Sequence, residues 1–164
     1  MEIRCARREE LLEAAALVIE SWRWAYRDIF DADYLAGLAH GAWHENMLKA
    51  YDEGKRPLLL FDQGELLGYC NFRKSNEDAY PDDGMINAIY LREDAVSRGY
   101  GHALMTRAEE ELRAQGYQNL VLDVLSKNAR AIAFYRAHGY VKVGDRKHSW
   151  GDREYPLDIM RKGA

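Results

Sequence analysis

The stretch Ser97-Arg98-Gly99-Tyr100-Gly101-His102-Ala103 sets two glycines one residue apart, behind an arginine, where an apolar helix begins. Glycine costs a helix interior about 1 kcal/mol relative to alanine. A pair at a helix entrance therefore signals that something approaches the backbone closely. Helix N-termini offer N–H groups without intrahelical acceptors and a partial positive charge. Cleared of side chains, such a terminus suits an anion, and a pyrophosphate fits best. A glycine-rich turn that merely leads into a helix would read the same way. The spacing is neither the phosphate loop GxxxxGK[ST] nor the dinucleotide fingerprint GxGxxG, because Leu104 stands at the third glycine position.

A second group lies in LDVLSKNARAIAFYRAHGY, from Leu122 to Tyr140. Asp123 interrupts an apolar strand, and alternation puts it opposite Leu122 and Val124. A buried charge needs a partner or a purpose, so Asp123 is a base, half of a salt bridge or a residue on an exposed sheet edge. Asn128 opens a helix, where asparagine is among the best caps. Tyr135 carries a phenol of pKa about 10, which can donate a proton at neutral pH. It can equally pack beside Phe134. Trp22 and Tyr26 lie one helical turn apart, as a pocket wall or as core aromatics. His40 and His44 have the i, i+4 spacing of a chelating pair, but no third ligand accompanies them and no metal is expected.

The elements that must position these groups follow from periodicity. A strand is expected at Glu2–Ala6. Leu11, Ala15, Val18, Trp22, Tyr26 and Ile29 then mark one face of a helix ending near Arg27. DADYLAGLAHGAWHENMLKAY reads as one or two short helices capped by Asp31 or Asp33. PLLLFDQGELLGYCNFRKS is a hairpin about Asp62-Gln63-Gly64, and DGMINAIYLRED a further strand. A helix over Ala103–Ala114 closes at Gly116. NLVLDVLS is a strand, NARAIAFYRAHGY a helix stopping at Gly139, and the chain ends in two strands. The three prolines, Pro57, Pro81 and Pro156, fall near expected strand starts. Strand, helix and strand occur twice in succession, which predicts a mixed sheet with parallel central strands.

The 164 residues fit one domain, expected over 1–164, and can bury about 70% of their unfolded surface without disulfides. Cys5 and Cys70 stand apart, outside any metal or disulfide framework, which reads as a reduced, cytoplasmic setting. No apolar run is long enough to span a bilayer. A net charge of −4 without a basic stripe argues against nucleic acid as a partner, and mild acidity suits a cationic acceptor such as an amine.

Arg98-Gly99-Tyr100-Gly101-His102-Ala103 fits [QR]-x-x-G-x-[GA] through Arg98, Gly101 and Ala103, and resembles the acetyl-coenzyme A loop of the GCN5-related N-acetyltransferases (GNAT). The Leu122–Tyr140 segment is similar to that family's second signature, L-x-V-x-x-x-N-x-x-A-x-x-F-Y-x-x-x-G-[FY], through Asn128, Ala131, Phe134, Tyr135, Gly139 and Tyr140. Trp22, Tyr26 and Ile29 resemble the family's opening W-x-x-x-Y-x-x-[IF]. The resemblance implies an α/β fold: a mixed, mostly antiparallel sheet whose parallel central strands four and five splay to hold acetyl-coenzyme A, with helices on both faces. It implies acetyl transfer from acetyl-CoA, without metal, to a primary amine on a small molecule or a peptide N-terminus.

The resemblance also assigns residues. The amides of Arg98, Gly99, Tyr100, Gly101, His102 and Ala103 would hold the pyrophosphate. The backbone of Ile89, Tyr90 and Leu91 would receive the pantetheine arm and polarise the thioester, and Asn128 would bond the same arm. Tyr135 would protonate the departing thiolate, while Trp22 and Tyr26 would line the acceptor side. Many members carry a glutamate on strand four as base, but Met85 stands there. Asp123 matches a second arrangement, an acidic residue twelve positions before the tyrosine. Water-mediated deprotonation near Asp82 or Asp83 is its rival. A coenzyme-binding sensor or interaction module on the same fold is the alternative function, and a homodimer is compatible with either.

Overall fold

The computed structural model describes residues 1–164. Its strands are β1 (Glu2–Cys5), β2 (Leu58–Asp62), β3 (Glu65–Lys74), β4 (Gly84–Leu91), β5 (Leu120–Leu125), β6 (Val141–Trp150) and β7 (Arg153–Lys162). The helices are α1 (Leu11–Ala25), α2 (Ala32–Ala36), α3 (His40–Asp52), α4 (Tyr100–Ala114) and α5 (Ala129–Ala137). The strands form one mixed sheet in the order β1-β2-β3-β4-β5-β7-β6, with β4 and β5 parallel as expected. The residues group into two compact units, Met1–Phe72 with Ala88–Ala108, and Arg73–Asn87 with Glu109–Ala164.

In the first unit β1 runs antiparallel to β2, and β2 to β3. The β2–β3 connection is two residues, Gln63 and Gly64, at φ 51° and 78°. Paired positive φ values match the right-handed twist of the flanking strands, which is why Asp62-Gln63-Gly64 read as a hairpin. Leu58, Leu59 and Leu60 are all wholly buried, so this strand is covered on both faces. Helix α1 buries Leu11, Ala14, Ala15, Val18 and Trp22 at helical spacing. Only Met47 of α3 is buried, consistent with its weak pattern. Gly68 has a packing reason to be glycine: a Cβ there would meet Leu91 at 3.0 Å, Leu104 at 3.2 Å and Leu60 at 3.3 Å.

In the second unit β5 pairs antiparallel with β7 from Leu120↔Lys162 to Leu125↔Leu157, and β7 pairs with β6. The parallel ladder with β4 is short, joining Gly84↔Leu120 and Met85↔Val121. The expected strand–helix–strand repeat therefore holds in chain order, but β7 inserts between β5 and β6. Met85, Val121 and Ile159 pack together with Tyr80 against them. Two expectations need correction. Pro156 lies inside β7 opposite Lys147, not at a strand start. It is tolerated because the pairing with β5 ends one residue away at Leu157, and its carbonyl accepts from Ser126 N at 3.0 Å. Helix α4 begins at Tyr100, not Ala103, so Gly101 and His102 belong to its first turn.

Candidate active site

The glycine stretch is a helix cap. Ala103 N donates to Gly99 O at 3.2 Å, the first bond of the fifteen-residue α4. Tyr100, Gly101 and His102 thus supply the first-turn amides. Gly99 sits at φ 85° and Ser97 at φ 62°, so the chain turns through the left-handed region twice before the helix. Only glycine takes this conformation freely, and the space beyond Gly99 is open. Gly101 is buried, whereas Arg98 and His102 are exposed.

Side chains lock the cap in place. The Tyr100 hydroxyl donates to Asp62 at the end of β2 and accepts from Arg98 Nη2 at 3.2 Å. The hydrogen bond to Asp62 holds the Tyr100 phenol above its ordinary value and Asp62 below the usual carboxylate range. Tyr100 thus fixes the loop with its ring and leaves its amide at the helix end.

The end of β4 belongs to the same unit. Ile89, Tyr90 and Leu91 are half-buried. Ser21 Oγ on α1 donates to Leu91 O at 3.0 Å, Trp22 Nε1 donates to the Tyr90 hydroxyl at 2.9 Å, and Arg92 N donates to Leu67 O at 2.8 Å. Trp22 is 8% exposed and packs against Tyr26, Phe30 and Trp43 with centroids 4.9, 5.4 and 5.4 Å away. It is a core aromatic with its polar edge on Tyr90, and Tyr26 is half-buried beside it. A cavity of ≈ 360 Å³ opens between α1 and the start of the loop, lined by Leu17, Ser21, Trp24, Arg27, Arg92 and Glu93.

The second unit holds the proton-transfer candidates. Asn128 caps α5, its Oδ1 accepting from Ala131 N at 3.2 Å. Half-buried Tyr135 stands edge-on to Phe134 and Tyr140, at 5.5 and 6.2 Å. Tyr140 is buried and donates to Glu109 at 2.8 Å, while Lys162 Nζ meets both Glu109 oxygens at 3.1 Å. Burial first, then Glu109, raises the Tyr140 phenol, so it stays protonated.

Asp123 is half-buried and accepts from Arg146 Nη2 at 2.7 Å. Arg146 also donates through Nε to both oxygens of Glu77, at 3.0 and 3.2 Å. Glu77 is 4% exposed, and burial pushes its carboxyl above the ordinary glutamate value, reinforced by hydrogen bonding to Asp123 and opposed by Arg146. Sequence reasoning missed both partners. Nothing in Ser75-Asn76-Glu77-Asp78 marks the third residue for burial, and alternation along β6 gives Arg146 no distinction from Lys147. Of the rival acids, Asp83 is buried in a two-point pair with Arg161 at 2.7 and 3.0 Å, whereas Asp82 is exposed. No cluster of three metal-ligating side chains occurs, and no helix is long and apolar enough to cross a membrane.

A glycine-capped helix following β4, and an asparagine-capped helix carrying tyrosine after β5, define an acyl-transfer fold. Residues 18–140 match the acetyltransferase (GNAT) family model, and the chain belongs to that family: it is an acyltransferase. It is 29% identical over 153 residues to the uncharacterized N-acetyltransferase YuaI of Bacillus subtilis, covering 87% of this chain and 82% of that protein. To the peptidyl-lysine N-acetyltransferase YiaC of Escherichia coli it is 29% identical over 150 residues, 84% of this chain and 82% of that one. Among solved structures, the PaiA N-acetyltransferase of Thermoplasma acidophilum in complex with coenzyme A superposes at a TM-score of 0.80 and 21% identity, over 99% of this chain and 98% of its own.

Proposed function

We propose that this protein transfers an acetyl group from acetyl-CoA directly to a primary amine, on a small molecule or a peptide N-terminus. The observation that carries this reading is the cap at Gly99: a left-handed glycine followed by a buried one, with Tyr100 turned away onto Asp62. Open space beyond Gly99 at the entrance of α4 fits a diphosphate. A similar complex with coenzyme A in the PaiA structure supports the same donor.

The residue roles follow from chemistry. The amides of residues 98–103 grip the diphosphate, and the backbone of Ile89, Tyr90 and Leu91 orients the pantetheine arm and polarises the thioester carbonyl. Asn128 adds a side-chain contact to that arm while capping α5. Bound acetyl-CoA supplies an acyl group activated by a good leaving thiolate. Asp123 takes one proton from the acceptor ammonium, exposing the nitrogen lone pair that forms the C–N bond as the C–S bond breaks. Tyr135 gives its proton to the thiolate sulfur and recovers one from the acylated nitrogen. Trp22 and Tyr26 shape the acceptor side, Trp22 acting through Tyr90. The primary-amine class is supported by the peptidyl-lysine activity in the name of YiaC.

A coenzyme-binding sensor is the second reading, favoured by Met85 at the usual glutamate position and by the engagement of Asp123 with Arg146. Acetyl-CoA-dependent thiol release across a panel of amines separates the two. Turnover with at least one amine supports the enzyme. Coenzyme uptake by calorimetry with no turnover on any amine supports the sensor, and absence of uptake removes both.

A further inference from the structure

Glu77 lies in the β3–β4 connection, where its neighbours Asn76, Asp78 and Ala79 face solvent, yet it is 4% exposed. Its backbone is fixed on both sides: Glu77 N donates to Ser75 Oγ at 3.0 Å, and Tyr80 N donates to Glu77 O at 3.0 Å. A carboxylate is held inside only by a partner, and Arg146 is that partner. The guanidinium is shared, with Nε on Glu77 and Nη2 on Asp123. Two carboxyl groups therefore share one guanidinium.

We propose that Glu77 is a positioning residue for Asp123: through the guanidinium they share, it sets how readily Asp123 accepts the acceptor's proton. This rests on Asp123 as the proton acceptor in the reading above. With Arg146 divided, Asp123 has no guanidinium to itself. The residue opposite Asp123 on β7 is Ile159, and the β4 residue beside neighbouring Val121 is Met85. Further along the Arg146 face of β6 stands His148, exposed and 4.3 Å from the Trp150 ring. Asp158 on β7 is engaged by Ser126 at 2.6 Å and Lys142 at 3.4 Å, and Asp83 by Arg161.

The test combines carboxyl-carbon NMR titration with the pH profile of kcat/KM. Glu77→Gln frees Arg146 for Asp123, and the Asp123 titration and the acid limb of the profile both move to lower pH, by about one unit. Arg146→Gln moves both to higher pH. Glu77→Asp, which restores the charge, returns the limb toward its original position. A purely structural Glu77 would lower activity at every pH without moving the limb, and that result overturns the proposal. If the NMR titration moves while the limb stays, Asp123 is not the proton acceptor and the proposal falls with that reading. If neither moves, the coupling itself is wrong while Asp123 can still be the base.

Discussion

The Gly99 cap and the Glu77–Arg146–Asp123 cluster are built from opposite materials. The cap consists of main-chain amides, a left-handed glycine and one short tether, all within a few residues of each other apart from Asp62. The cluster consists of charged side chains from three places in the chain, 46 residues separating Glu77 from Asp123 and 23 separating Asp123 from Arg146. A backbone device writes its requirement into consecutive letters, because glycine takes the geometry most freely. A side-chain device writes nothing local, because any connection can carry a glutamate.

The largest effect expected is on the proposed proton donor. Tyr135→Phe lowers turnover about 10²- to 10⁴-fold while coenzyme affinity stays within about a factor of two, read by thiol release and calorimetry. Unchanged turnover would remove Tyr135 from the reaction and leave the second unit with the cluster alone. Next is the cap. Gly99→Val forces a branched residue to φ 85°, a strain of about 1–3 kcal/mol, and a loop that relaxes away from this geometry loses about tenfold in coenzyme affinity. Intact affinity would mean that the backbone device is not where the coenzyme sits.

Asn128 caps α5 and is also proposed to contact the coenzyme, and two variants divide these roles. Asn128→Ala removes the cap oxygen at 3.2 Å from Ala131 N, costing about 1 kcal/mol in urea denaturation. Asn128→Asp keeps the cap but loses the amide donor, so stability holds while coenzyme affinity falls. Equal affinity for Asn128→Asp and the parent protein would confine Asn128 to capping.

The smallest effect is a pH dependence of stability at Glu77. Its folded-state value is raised, mainly by burial, so the folded chain holds the proton more readily than the unfolded chain. The associated stability is fully present below the ordinary glutamate range and is lost as pH rises through the raised value. Glu77→Gln, permanently uncharged, therefore flattens the fall in Tm across that window. A Tm profile unchanged in shape would show that Arg146 fully offsets the burial of the charge.

Local signals made much of the fold legible. The period of Leu11, Ala15, Val18 and Trp22 gave α1, Gln63-Gly64 gave the hairpin, and Gly116 and Gly139, both at positive φ, mark the ends of α4 and α5. Gly101 reads as loop, which puts the expected start of α4 three residues beyond Tyr100, although a glycine in a first turn sacrifices little helix. The insertion of β7 between β5 and β6 was not legible, since strand order depends on which hydrophobic faces meet and not on any one segment. At the site, the cap glycines, Asn128 and Tyr135 stood out by type and spacing. The partners of Asp123 did not, and neither did the tether from Tyr100 to Asp62, because both join residues distant in sequence.

Pro156 divides the mechanical behaviour of β7. The N–H and C=O of a strand residue point the same way, and Pro156 O points to Ser126, so the missing donor also faces the β5 side. Beyond it, from Lys147 to Glu154, the β6–β7 hairpin is a two-stranded ribbon, anchored by His148, Trp150 and Tyr155 rings and by its own ladder. Two strands alone are marginal in water. Amide exchange should therefore be slow up to Leu157 and quicken abruptly past the proline, leaving the distal arm to flex without loosening β5.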